Sequence, residues 1–243
     1  MSSQPEIELG KHTRREFRER MNSGELQACI LPLAAIEQHL EHMAMEHDWR
    51  SVRHVAHQVA ANLRPHVVVA EGVMAGISEH HMSHNGTLTL SPGTFLSVVS
   101  DLIDSLVRAG FQNILVLNGH GGNNAPSLGV WDQFQRRHRV NLHYLPYWDV
   151  YTDQDAAELL EGGTEIPGDL PGHAQEFETS FALAVFPENV RTDMWQDQED
   201  QKPSLATAEK GAEFLRRAVE RLTVYVQEMI DGKRVIETPP YFP

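Results

Sequence analysis

Four short apolar runs, separated by stretches with helical spacing, limit what this chain can fold into more than any other feature. The runs are residues 26–37 (LQACILPLAAIE), 66–72 (HVVVAEG), 113–118 (NILVLN) and 140–148 (VNLHYLPYW). Each has strand length and is aliphatic or β-branched, which suits a buried strand. Helical spacing marks 51–63, 94–110, 125–138, 173–185 and 204–232, and residues 1–20 predict a further helix carrying Phe17 ahead of Met21. Ser91-Pro92 reads as an N-cap with proline at the first helical position, and Gly110 as the stop. Strands alternating with amphipathic helices predict an α/β fold, a mostly parallel sheet covered by helices on both faces. No repeat or flexible linker divides the chain, so one domain over 1–243 is expected. Segment 152–172 is polar and rich in Gly and Pro, a lid or a solvated excursion with one helical turn, and 237–243 reads as extended.

Composition removes whole classes of function. Lys and Arg number 20 against 34 Asp and Glu, a net charge of −14, and such a chain is repelled by phosphate backbones. Nucleic acid is therefore not an expected partner. No run of 18 apolar residues offers a membrane span, and the N-terminus has no apolar core of a secretory signal. A single cysteine, Cys29, cannot form an internal disulfide and fits a reducing, cytoplasmic setting. The 14 histidines raise metal chemistry before any motif is read, because imidazole is the commonest metal ligand.

Three clusters carry that chemistry. Glu37-Gln38-His39, followed by Asp48, stands where the first strand ends, and an extended segment points Glu37 and His39 the same way. Around them Glu41 and His42 belong to a charged loop, and Glu46 and His47 read as its solvated part. Asn118-Gly119-His120-Gly121-Gly122-Asn123 follows the third strand directly, at the edge where open α/β sheets bind ligands. Its glycines permit a sharp turn and close approach of a ligand; phosphate cradling is the weaker reading, since the pattern is neither G-x-G-x-x-G nor a Walker loop. In the third cluster, His173-Ala174-Gln175-Glu176-Phe177-Glu178-Thr179, a helix would place His173 and Glu176 on one face with Glu178 about 140° round. Alone, it reads first as an acidic first helical turn. Together, two histidines and three carboxylates at strand ends can hold two divalent cations with one carboxylate bridging, and a further histidine can carry a proton to a leaving nitrogen.

These stretches resemble the creatininase (creatinine amidohydrolase) family: LPLAAIEQHLEH and HD within 31–48, GTLTLSP (86–92), NILVLNGHGGNN (113–124) and HAQEFETS (173–180). The resemblance implies a three-layer α/β/α sandwich and a two-metal hydrolase. It implies Glu37, Asp48 and His120 on one metal and His39 with bridging Asp48 on the other, and a proton-shuttling role for His173. The family glutamate two residues after the turn histidine is Gly122 here; Glu178 is the candidate replacement and Glu176 the reserve. Leu40 and Glu41 stand where the family has Gly and Pro, which predicts a reshaped pocket wall and an added carboxylate. The expected activity is cleavage of a non-peptide C–N bond in a small cyclic amide or formamide by a metal-bridging hydroxide. Zn is the first choice of cation, with Mn or Fe as alternatives. Gly121 and Gly122 are expected to leave room for substrate or donate N–H groups to it, and Tyr147, Trp148 or Tyr151 to contact it. The resemblance also implies a homo-oligomer, typically a hexamer. The alternatives are a non-catalytic binding protein that keeps the fold, and a hydrolase of another bond, such as a phosphate ester, using the same metals.

Overall fold

Strands β1 (Ala28–Leu33), β2 (Val67–Val69), β3 (Asn113–Asn118) and β4 (Asn141–Pro146) pair in parallel in the order β2-β1-β3-β4. The computed structural model describes residues 4–161 and 170–237. The middle of segment 152–172 and all but the first residue of the extended tail lie outside these described residues. Leu33 stands opposite Asn118, and Asn118 opposite Pro146. The three strands therefore end level, and the segments leaving them share one rim.

Alternate residues of the sheet serve two separate apolar layers, as parallel strands covered on both faces require. Ile30, Leu115 and Leu117 pack with Val55 and Val59 of α2 (His47–Asn62), Phe177 and Phe181 of α7 (Glu176–Val185), and Phe214 and Leu222 of α8 (Ala208–Ile230). Leu31, Ile114 and Val116 face the other way, onto Phe95, Val99 and Ile103 of α3 (Pro92–Ala109) and Trp131 of α5 (Trp131–His138). Each such side chain contributes roughly 1.5–3 kcal/mol by leaving water. The chain thus forms the expected three-layer sandwich, with α1 (Arg14–Asn22) near its amino end.

The caps follow the sequence signals in part. The Ser91 hydroxyl accepts a bond from the Thr94 amide, Pro92 opens α3, and Gly110 closes it at φ 113°, a left-handed conformation that suits glycine. The single helix expected over 125–138 is two, α4 (Asn124–Leu128) and α5, with Val130 at φ −126°, ψ 2° between them. The helical turn expected in 152–172 is α6 (Asp153–Leu159), closed at its start by a Thr152–Asp155 capping box. Two departures shape the site. Helix α2 starts at His47, ahead of its apolar pattern, so Asp48 lies in its first turn, where a carboxylate complements the helix dipole. Helix α7 starts at Glu176, so His173 lies outside it: Ala174 takes the left-handed conformation (φ 51°) and Gln175 is extended. That bend corrects the shared helical face expected for His173 with Glu176.

Candidate metal centre

The residues that leave the level strand ends converge on Asp48. Glu37 and His39 arrive from the segment after β1, His120 from the turn after β3, and Glu178 from the first turn of α7. His39 Nε2 lies 3.1 Å from Asp48 Oδ1 and 3.8 Å from Glu178 Oε2. His120 Nδ1 lies 3.1 Å from Asp48 Oδ2 and 3.3 Å from Glu37 Oε1. One carboxylate therefore sits between two sets of donors, one set reached through each oxygen. All five side chains are buried. Each imidazole is anchored through its other nitrogen: His39 Nδ1 on the Glu37 carbonyl at 3.0 Å, and His120 Nε2 on the Ile77 carbonyl at 3.0 Å.

This arrangement fits divalent cations. Glu37 Oε2 and Asp48 Oδ2 are buried and have no hydrogen-bond partner, because His120 is close to Asp48 Oδ2 but off the line of a hydrogen bond. Bare buried carboxylate oxygens are costly unless a positive charge faces them. Without a cation, protons on the imidazoles supply that charge. Burial opposes a charged His39, but Asp48 and then Glu178 outweigh it and raise its pKa to about 9. Burial likewise opposes His120, yet the Asp48 and Glu37 carboxylates beside Nδ1 raise it to about 10. Asp48 is held well below the ordinary carboxylate range: burial resists this, and the charged His39 beside it prevails. Burial drives Glu178 the other way, up to about 8.

Metal binding must displace these protons. Cations held by these side chains would displace one proton each from His39 and His120 at pH 7, and a third from Glu178 below about pH 8. Calorimetric titration of metal-free protein with Zn2+ in buffers of differing ionisation enthalpy should show release of two or more protons at pH 7. It should also show affinity that rises with pH until those groups have ionised.

Gln38 organises the mouth of the site. Its Oε1 accepts the Leu40 amide at 3.0 Å, which fixes the side-chain amide so that Nε2 donates to His81 Nδ1 and to His173 Nε2, each at 2.8 Å. His173 thereby carries its proton on Nδ1, which faces Glu37 Oε1 at 3.7 Å. Its side chain is 29% exposed, and burial followed by the charge on His39 lowers its pKa to about 4, so it is neutral near pH 7. The left-handed turn at Ala174 performs two tasks. It folds His173 back over the cluster, and its N–H donates to Glu178 Oε2 at 2.6 Å.

Some expectations are corrected. Glu176 does not face the centre: its carboxylate accepts Lys210 Nζ at 2.7 Å and the Glu161 amide at 3.0 Å. Glu178 takes the position beside His39. Gly122 does not leave room for substrate, since a Cβ there would stand 2.2 Å from the Ile77 carbonyl oxygen and 2.5 Å from His120 Nε2. Gly121 opens onto free space within 4 Å. Trp148 is 6% exposed and packs edge-on against buried Tyr147, and the Tyr151 hydroxyl donates to the Phe214 carbonyl, so all three aromatics belong to the core layer. Leu40 keeps the backbone of a glycine, at φ 54°. Glu41 is exposed and lines a cavity of about 870 Å³ beside Gln38, Leu40, Asp197 and Asp200.

Two residues were missed. His47 is not solvated but 0% exposed, with Nε2 4.0 Å from Glu178 Oε1. His80, from the loop after β2, can share a cation with Glu37 and His120. Neither has a spacing signal; only the repeated histidines of 77–86 hinted at the second.

The chain is similar to known proteins along most of its length. The model of the Creatininase family, described as creatinine amidohydrolase, matches residues 11–226. The chain is similar to creatinine amidohydrolase of Pseudomonas putida, 29% identical over 196 residues that cover 76% of this chain and 74% of that one. It is also similar to 3-dehydro-scyllo-inosose hydrolase of Thermotoga maritima, 29% identical over 189 residues, 77% of this chain but 58% of that protein. Among solved structures, a crystal structure of creatinine amidohydrolase (creatininase) aligns with a TM-score of 0.79 at 25% identity, covering 92% of this chain and 98% of that one. A structure of the Mn form of creatininase aligns with a TM-score of 0.78 at 25% identity over the same shares.

Proposed function

The chain belongs to the creatininase family, and on that premise we propose that it is a metal-dependent hydrolase of a non-peptide C–N bond in a small cyclic amide or formamide. The observation that carries the reading is Asp48, whose two oxygens face two separate imidazole–carboxylate sets. In this reading Glu37, Asp48 and His120 would hold one cation, and His39, Asp48 and Glu178 the other. Mixed nitrogen and oxygen donors suit Zn, with Mn or Fe as alternatives. When bound, such a pair polarises a carbonyl and makes water a better nucleophile at neutral pH. His173 is the proton carrier. Its Nδ1 proton, on the side of Glu37, would go to the departing nitrogen, and the proton released by the attacking water would return to Nδ1, so that Nε2 keeps the bond from Gln38 throughout. The reading includes one domain for the whole chain, supported by the family match across 11–226, a homo-oligomeric assembly, and a small-molecule partner. Among the described residues no helix is long and apolar enough to cross a membrane.

Gln38 acts in this reading by holding His173. Gln38→Leu, which removes both donated bonds, should lower kcat by about 10–100-fold, the range typical of groups that orient metal-site side chains, with bound metal unchanged. Steady-state kinetics alongside metal analysis checks this.

The substrate class is tested with a panel of formamides, lactams, cyclic ureas, phosphate esters and 3-dehydro-scyllo-inosose, assayed with added Zn2+ or Mn2+. The last compound is included because the Thermotoga relative equals the Pseudomonas one in identity. Turnover of an amide or cyclic urea is expected; turnover confined to phosphate esters or to the inosose would remove the C–N assignment.

A further inference from the structure

We infer that His47 is an additional ligand of the cation assigned to His39, Asp48 and Glu178, so that this half of the centre has two nitrogen and two carboxylate donors. The inference rests on the two-cation reading above. Donor atoms from His39, His47, Asp48 and Glu178 all lie within 4.8 Å of one another, and all four residues are buried. His47 is the first residue of α2 and precedes Asp48 directly, so the helix start that delivers the shared carboxylate delivers this imidazole too. Its ring is fixed between His39, at 5.1 Å between centroids, and Phe186, at 5.7 Å. Nε2 points at Glu178 Oε1 across 4.0 Å and meets only the Ser51 hydroxyl, at 3.3 Å, while Nδ1 has no hydrogen-bond partner.

A wholly buried imidazole with an unbonded nitrogen is an expensive way to fill space, and an apolar side chain would pack against Phe186 at lower cost. A ligand role accounts for it. The resemblance places a carboxylate at position 122, where this chain has glycine, and the Ile77 carbonyl closes that space to any side chain. Glu178 supplies the carboxylate instead, and His47, from the start of α2, adds a nitrogen donor beyond it. The two halves then differ in chemistry. The His39–His47 half is richer in nitrogen and favours Zn over Mn, while the half built on Glu37, Asp48 and His120 discriminates less.

The test uses the purified full chain loaded with Zn2+. X-ray absorption at the zinc edge should count three imidazoles for each pair of ions, from His39, His47 and His120. The same measurement should lose one imidazole in His47→Gln and none in His80→Gln. In parallel, His47→Gln and His47→Asn are titrated against a chromophoric chelator, with circular dichroism reporting the fold. Both variants should keep one tight ion and lose affinity for the second by at least about 100-fold, the upper end of what outer-shell changes cause. Two imidazoles for each pair of ions, or a folded variant that holds both as tightly as the parent, overturns the role of His47 and leaves the two-cation reading intact. A parent chain that binds fewer than two equivalents overturns that reading and this inference with it. If neither variant folds, the absorption count on the parent decides.

Discussion

Asp48→Asn should lower kcat/KM by at least about 10³-fold, equivalent to about 4 kcal/mol of transition-state stabilisation. The substitution is nearly isosteric, so the start of α2 keeps its shape, but the amide offers one oxygen where the carboxylate offers two. Oδ1 faces His39 and Oδ2 faces His120, so this one change should weaken both halves at once. Metal analysis after dialysis should show fewer than two equivalents. Kinetics with saturating Zn2+ should recover little of the lost activity, because the spacing of the two positions depends on the bridge and not on occupancy alone. A variant that binds two equivalents and works at the parental rate would show that Asp48 is not shared.

His173→Gln should behave in the opposite manner with respect to metal. It removes the proton carrier and leaves Glu37, His39, Asp48, His120 and Glu178 in place. The expected result is a fall in kcat of about 10²–10⁴-fold, the usual contribution of a positioned acid–base group, with two equivalents of metal retained. Glutamine can still form one bond to the Gln38 amide, so the fold at Ala174 should persist and circular dichroism should not change. Loss of metal together with activity would instead place His173 among the ligands. That outcome is concrete, since Glu37, His39 and His173 also offer donors within 4.8 Å of one another. Comparing the two variants therefore separates binding from proton transfer, which kinetics on either one alone would not do.

Much of this was legible in the sequence for a physical reason. Parallel strands buried on both faces must be aliphatic along their length, so 28–33, 67–69, 113–118 and 141–146 stand out as runs, and their level carboxyl ends bring 37–48 and 118–123 to one rim. Glu37, His39 and His120 stand just beyond those ends, but the spacing alone is a weak signal; the resemblance to the creatininase family is what joined them into ligand sets. What stayed hidden was set by contacts between distant segments. His47 lies in a string of charged residues that reads as solvated; it is buried because Phe186 and α7 close over the start of α2, some way along the chain. Ala174 and Leu40 adopt left-handed backbone without being glycine, so no residue type announced the bend that frees His173 from α7 or the turn after His39. Glu178 holds the Ala174 amide and Gln38 the Leu40 amide; such conformations cost about 1–2 kcal/mol each, which the surrounding structure must offset. Gly122 is the converse case. Its sequence position suggested open space for substrate, and the Ile77 carbonyl fills it.

The most direct measurement is a titration of chelator-stripped protein with Zn2+, following both bound metal and hydrolysis of the best amide from the panel. Activity should be absent without added ion, remain low at one equivalent and reach its plateau at two. Full turnover by protein from which all metal has been removed would contradict a catalytic centre built on Asp48, as would a plateau reached at a single equivalent.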